Sequence, residues 1–498
     1  TARISDEDFM AGNYRFNGAP GSSVKNLGSI TVPPGGVVAL IAPVVENGGK
    51  INAPQGKVLL ASAEAFRITL PGDSFAYTLD RGTLQGLVDN GGAILSEGGH
   101  VVLTALGTDT VKKSLIRHSG NIEANTVRQK NGKVELLGDL NNSELHFSGS
   151  IKAEAPQQGD GGFVETSAAR LKIADSAQVS TEAKNGKTGE WLIDPKDLNI
   201  GDHNGVKGDI SGEQVSTSLQ QNNMTFKSTD GKNEGNGDIN IYEQINWNKN
   251  TFTLDAQHDI NIEQNLNGTG SAKLKLQYGQ DTANGGVAEV NIRRSVKVNL
   301  PEGKNLTVQK GSAGAKEEFT VIHDMPKGDT LPDSKIALGK DMDISYTANR
   351  SGFKGWKLPN DSGSLWGLGH EVKGLTIKAK EKDVSGLIQS ADSGVIRDLS
   401  VTNFSIDGGD KYTVAGGVVG EISSGKILNV YAAGNIKNTQ IAGGIAGNLH
   451  GSNIDKSNAE VIIDTTGSFQ QYGGALVGQM AYGSSISNSH ATGIIRNS

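Results

Sequence analysis

The sequence predicts an all-β fold: a parallel β-helix solenoid with short helical or loop excursions. Three observations predict it. A motif recurs at Asn26-Leu27-Gly28-Ser29-Ile30, Asn47-Gly48-Gly49-Lys50-Ile51, Asn90-Gly91-Gly92-Ala93-Ile94, Ser119-Gly120-Asn121-Ile122 and Ser148-Gly149-Ser150-Ile151. A repeat of roughly 20–30 residues made of short strands and turns marks a solenoid. Glycine is 68 of 498 residues, roughly twice its usual ~7% share. Short apolar runs follow the Gly turns, as in Val37–Ile41, Val58–Leu60, Val101–Leu103 and Val134–Leu137, each too short to build a core unless stacked on its neighbours.

The chain reads in three stretches. Residues 1–200 carry the motif above, its glycines 21, 43, 28 and 29 apart; the 43-residue gap reads as two turns of the shorter spacing. Inward Val, Ile, Leu and Ala are expected to line a narrow core, with the recurrent Asn forming polar ladders. Residues 201–320 are irregular coils, with a short helix near 212–221 capped by Ser211. Residues 308–336, with Pro326 and Pro332, read as a loop or boundary. Residues 321–498 change dialect, to Gly416-Gly417-Val418-Val419-Gly420, Gly443-Gly444-Ile445-Ala446-Gly447 and Gly473-Gly474-Ala475-Leu476-Val477-Gly478, with a degenerate copy from Gly386 to Ile406. The second glycines of these pairs lie 27 and 30 residues apart. Two dialects of similar period imply one monomeric rod whose coil changes cross-section.

Net charge is −7 and no basic stripe is present, which disfavours nucleic acid as a partner. With no cysteine, disulfides and thiolate metal sites are excluded. No run of 18 apolar residues occurs, so no membrane insertion is expected, and no signal peptide is visible. The chain opens and stops inside repeats and reads as a fragment of a longer protein.

The opening Ile4-Ser5-Asp6-Glu7-Asp8-Phe9 with Tyr14-Arg15-Phe16, and the run from Asn26 through Gly36-Val37-Val38-Ala39-Leu40-Ile41 to Asn47-Gly48, resemble the later part of the secretion domain of two-partner-secretion exoproteins, the filamentous haemagglutinin and high-molecular-weight adhesin family. Gly189-Glu190-Trp191-Leu192-Ile193-Asp194-Pro195 is similar to a marker of the adhesin branch. The Gly416, Gly443 and Gly473 units resemble GLUG repeats. Asp341-Met342-Asp343-Ile344, Gly352-Phe353-Lys354-Gly355-Trp356, Gly367-Leu368-Gly369-His370 and Leu375-Thr376-Ile377 are similar to their usual lead-in. The resemblance covers nearly the whole chain. It implies a right-handed parallel β-helix, export through an outer-membrane two-partner transporter, and a place outside the cell or on the bacterial surface. The family's Asn-Pro-Asn-Gly secretion motif is absent, so this piece alone is expected not to be secretion-competent.

Parallel β-helices also host polysaccharide-cleaving enzymes, whose carboxylates must converge at one coil position. The pairs Asp6/Asp8, Asp194/Asp197 and Asp407/Asp410 do not recur at the coil period, and Asp407/Asp410 lacks the ligand density of a calcium loop. Of nine His none forms a metal-binding HExxH motif; His100, His118, His370, His450 and His490 are expected at surface or ladder positions. The expectation is therefore no enzyme, cofactor or metal. Trp356 and Trp366, and Tyr412 and Tyr472 ahead of two Gly clusters, are candidate glycan contacts, the tyrosines stacking on successive coils. Asn141, Asn223, Asn267, Asn305, Asn349, Asn360 and Asn403 are sequons and candidate glycosylation sites, as in some adhesins of the resembled family. The function expected is adhesion to host-cell glycans or glycoproteins. The alternatives are a host-protein scavenger of the haem-acquisition type, a polysaccharide-acting β-helix enzyme and the stem of a contact-dependent toxin.

Overall fold

The structure, a computed structural model, describes every residue except 1, 70–74, 108–113, 229–235, 360, 361, 381, 410, 411, 466–470 and 498. The chain is a β-solenoid of stacked parallel strands. Its contacts divide it into a first unit of Thr1–Gln264, Ser271–Asn291 and Gln309–Lys316, and a second of Asn265–Gly270, Ile292–Val308 and Glu317–Ser498.

Three long parallel sheets wall the first coils of the first unit, and a further parallel sheet of Leu198–Ile200, Ile239–Ile241, Ile260–Ile262 and Val290–Ile292 belongs to later coils. One stacks Ser23–Asn26, Val44–Asn47, Leu87–Asn90, Ser114–His118, Ser143–Phe147 and Arg170–Ile173. The next stacks Ser29–Thr31, Lys50–Asn52, Ala93–Leu95, Asn121–Glu123, Ser150–Lys152 and Gln178–Ser180. The third runs from Val37–Ala42 through Lys57–Ser62, His100–Ala105, Lys133–Gly138, Phe163–Ser167, Glu190–Asp194, Asn223–Lys227 and Thr251–Asp255 to Lys273–Tyr278. Because side chains alternate along a strand, one column of each sheet points inward. Ile51, Ile94, Ile122 and Ile151 stack directly on one another and are wholly buried. Val101, Val134, Val164, Trp191, Met224 and Phe252 form a second such column. Trp191 gives its indole N–H to the Thr166 hydroxyl at 3.1 Å.

The glycines beside these columns are a spacing requirement. A Cβ on Gly92 would lie 2.1 Å from the carbonyl oxygen of Gly49, and one on Gly120 2.1 Å from that of Gly92, distances no side chain tolerates. Lys50 pairs with Ala93, so the 43-residue gap is one coil and not two. Its extra length is a hairpin, Ala65–Thr69 antiparallel to Ala76–Arg81, which Arg15–Asn17 joins as a third strand. Phe16 stacks on Phe66, ring centres 5.1 Å apart, over a small separate core.

The Asn ladders form as expected. Asn26 Nδ2 donates to Asn47 Oδ1 at 2.8 Å and Asn47 Nδ2 to Asn90 Oδ1 at 2.7 Å. A second ladder links Asn291, Asn261, Asn240 and Asn199, each Nδ2 donating to the Oδ1 of the next. The helix is Gly212–Ser218, shorter than expected, with the Ser211 hydroxyl accepting from the Gln214 N–H. A further short helix, Asp6–Met10, has Ser5 as its cap.

In the second unit, Ile388–Asp407, Lys426–Thr439, Asn458–Thr465 and His490–Asn497 stack in parallel. Val384–Ser385, Val414–Gly416, Ile441–Gly443 and Tyr472–Gly474 form a narrow sheet beside them. Val384 pairs with Val414, which puts Gly386 in register with Gly416; the degenerate copy is therefore a coil of the same kind. Gly416 pairs with Gly443, and Gly443 with Gly474 rather than Gly473, which occupies the Ala442 position. Residues 308–336 are not all loop: Glu317–Ile322 is a strand, and its partner in the second unit begins at Gly303.

Candidate functional site

Trp356 and Trp366 are core side chains. Trp356 is 0% exposed, packs edge-on against Phe353 at 4.7 Å and donates its indole N–H to the Pro326 carbonyl at 3.1 Å. Trp366 is 3% exposed, its indole N–H held by Asp398 Oδ2 at 2.8 Å and its face covered by the Arg397 guanidinium at 4.7 Å. Neither ring is open to a sugar, which corrects the expectation. An aromatic beside a Gly-rich lead-in fills the space that small residues leave. Tyr412 and Tyr472 are exposed, but they do not stack. Tyr472 lies in register with Ile441, which pairs with Val414, two residues past Tyr412 and two coils away.

Six of the seven sequons fall on described residues, and they divide by what their amides already do; Asn360 lies outside. Asn223 Nδ2 donates to the Thr188 and Gly189 carbonyls while its Oδ1 accepts from the Thr251 N–H. Asn267 Oδ1 accepts from Asn299, and Asn305 Nδ2 donates to the Pro301 and Glu302 carbonyls. Asn141, Asn349 and Asn403 are exposed, the Asn141 Nδ2 donating to Asp139 Oδ1 at 3.2 Å. Of the acidic pairs, Asp407 is spent on Lys437 and Asn438, and Asp410 lies outside the described residues.

The second unit carries an outward groove of about 530 Å³ across its last strands, with Asn403, Asn435, Glu460, Ile462, Thr492 and Ile494 among its walls. Ile462 and Ile494 are directly paired and are 41% and 49% exposed. The sequence carried a signal for them, since Val461-Ile462-Ile463 and Ile494-Ile495 break the alternation that a half-buried strand requires. In the first unit, His203 stacks on Tyr242 at 4.0 Å and 5° between planes, on the surface of a coil that composition gave no reason to single out.

The fold defines the coarse class, an all-β parallel β-solenoid protein. The chain is similar to a heme/hemopexin-binding protein of Haemophilus influenzae, 29% identical over 364 residues, which are 72% of this chain and 36% of that protein. It is also similar to a protein of the same description from the Rd strain of that species, 30% identical over 151 residues, 30% of this chain and 16% of that protein. The chain thus spans about a third of the length of the first of these relatives. No established protein-family profile matches it. No helix among the described residues is long and apolar enough to cross a membrane.

Proposed function

We propose that the chain is part of an exported exoprotein, secreted or held at the bacterial surface, that captures a host protein, and that a haem-carrying protein of the hemopexin kind is its target. The likeness to the heme/hemopexin-binding protein over 72% of the chain carries this choice. It moves the weight from general adhesion to the scavenging alternative. Outward positions of a stacked coil are free to vary while the inward columns are not, so the target would be recognised on exposed surfaces such as the Ile462/Ile494 groove. The activity is binding without catalysis. Export would use an outer-membrane two-partner transporter, with coils folding one on another as they emerge.

Biolayer interferometry on the immobilised chain tests this against haem-loaded hemopexin, apo-hemopexin and an array of epithelial glycans. Saturable binding to hemopexin that excess glycans do not displace is expected. Silence toward hemopexin with a clear glycan signal would return the protein to the adhesins.

A further inference from the structure

We infer that Asp238, His258 and Asp259 form a site for a divalent transition-metal ion that clips two successive coils of the first unit together. Asp238 stands immediately before the strand Ile239–Ile241, and Asp259 immediately before Ile260–Ile262. Those strands pair in register, Ile239 against Ile260, so the two carboxylates occupy the same position one coil apart. His258 comes in beside Asp259. Its Nδ1 lies 3.2 Å from Asp238 Oδ1 and 3.4 Å from Asp259 Oδ1. One ligand atom from each residue lies within 4.8 Å of the other two. A tetrahedral zinc ion with ligands at about 2.0–2.1 Å holds them about 3.3–3.4 Å apart, which the two His258 distances already match.

The ligands are held in place before any metal arrives. Asp238 Oδ1 accepts from the Asp259 backbone N–H at 2.9 Å, and Asp259 Oδ1 from that of Glu289 at 2.8 Å. The His258 backbone N–H donates to the Gly237 carbonyl at 3.0 Å. Such outer contacts fix ligand orientation and strengthen metal sites. The surroundings favour a cation. Asp197 stands before Leu198–Ile200 at the matching position, its Oδ1 accepting from the Gly237 N–H, and Glu289 stands before the next strand above, with Lys310 at 3.7 Å. Acidic groups therefore recur coil after coil beside the three ligands, and a divalent ion neutralises two of them at once. An imidazole among the donors selects Zn²⁺, Cu²⁺ or Ni²⁺ over Ca²⁺ and Mg²⁺. All three residues are half-buried, which leaves solvent for the remaining coordination position.

Zn²⁺ is titrated into the untagged chain after chelator dialysis, by calorimetry at pH 7.5, with thermal melts followed by circular dichroism. One ion per chain, micromolar affinity and a higher melting temperature are expected. His258→Ala and Asp238→Asn should each weaken binding at least tenfold while leaving the metal-free spectrum unchanged. His258→Gln, which keeps a polar side chain, replaces the alanine variant should that one not fold. Zn²⁺ binding that is equal in wild type and variants, or no saturable binding at all, overturns the inference.

Discussion

His118 closes the first Asn ladder with a different side chain. Its Nδ1 faces the Asn90 amide nitrogen at 3.1 Å and its Nε2 faces the Ser150 carbonyl at 3.1 Å. The Asn90 amide on Nδ1 favours the neutral ring with the proton on Nε2, against the Asn90 carbonyl that also lies 3.3 Å from Nδ1, and burial holds its pKa below the ordinary value. A second proton would sit on Nδ1 against an N–H donor. A depressed histidine contributes stability that is present above its unfolded value of about 6.5 and lost as pH falls below it. His118→Asn continues the ladder without a titrating ring, though it gives up the stack on Phe147 at 5.4 Å. We expect the variant to melt below wild type at pH 7.5 and the gap to close by pH 5; parallel curves would show that the ring is not neutral. Asp209 works in the opposite sense. Its enclosed carboxyl accepts from the Asn199 N–H at 2.8 Å, yet burial pushes its pKa up to about 7. A raised carboxyl contributes stability in full below its unfolded value, and that contribution is lost as pH rises through about 7. Asp209→Asn should therefore gain on wild type in melting temperature from pH 5 to about pH 7 and level off above it. Neither behaviour was legible in the sequence: that a polar residue points into a core depends on strand register, which one-residue steps reverse.

At the scale of the coil, much was legible, because inward columns and Gly turns are strict. Ile51, Ile94, Ile122 and Ile151 could be picked out by spacing alone and are wholly buried. The turns were harder to read. The 43-residue gap concealed a hairpin, since an outward excursion leaves the column it departs from untouched, and Gly473 imitated a register position that belongs to Gly474. The acidic groups around His258 escaped notice because their 21-residue separation looks unremarkable until Ile239 is known to pair with Ile260. Two substitutions probe the coil. Ile122→Ala leaves a cavity between two stacked isoleucines and should cost about 2–5 kcal/mol in urea unfolding; a loss under 1 kcal/mol on the order of a surface change would mean the column is not packed. The residues Asp398, Asn429, Lys456 and Asn488 stack at one turn, all with positive φ between 46° and 54°. Asp and Asn tolerate that conformation, and a long side chain does so at a cost of about 1–2 kcal/mol. Lys456→Asn should thus stabilise the second unit by up to about 1 kcal/mol, read as a higher denaturation midpoint at unchanged slope.

For the whole molecule, the sequence delivered the architecture but not the target, and the reason is physical. Stacking constrains what points inward, while a binding surface is built from outward residues whose neighbours lie a full coil away, so Trp356 and Trp366 looked like contacts and are core. The same stacking governs stability. With no disulfide possible, each coil is held by its two neighbours, and stability is close to a sum of coil terms and interface terms. The coil formed by Tyr472–Gly474, Val477–Ala481, Ser485–Ser487 and His490–Asn497 pairs strand by strand with the coil before it. Ile495 is 43% exposed above a fully buried Ile463, Ile486 37% exposed above a fully buried Ile454, and Met480 44% exposed above a fully buried Leu449. These apolar groups gain about half of what the coil beneath gains, and its backbone hydrogen bonds are correspondingly cheap to open. Hydrogen–deuterium exchange on this chain should show protection rising coil by coil from residues 472–497 inward, with the Ile94–Ile122–Ile151 stretch among the slowest to exchange. Equal protection in the last coil and in that stretch would mean that something besides nearest-neighbour stacking holds the end in place.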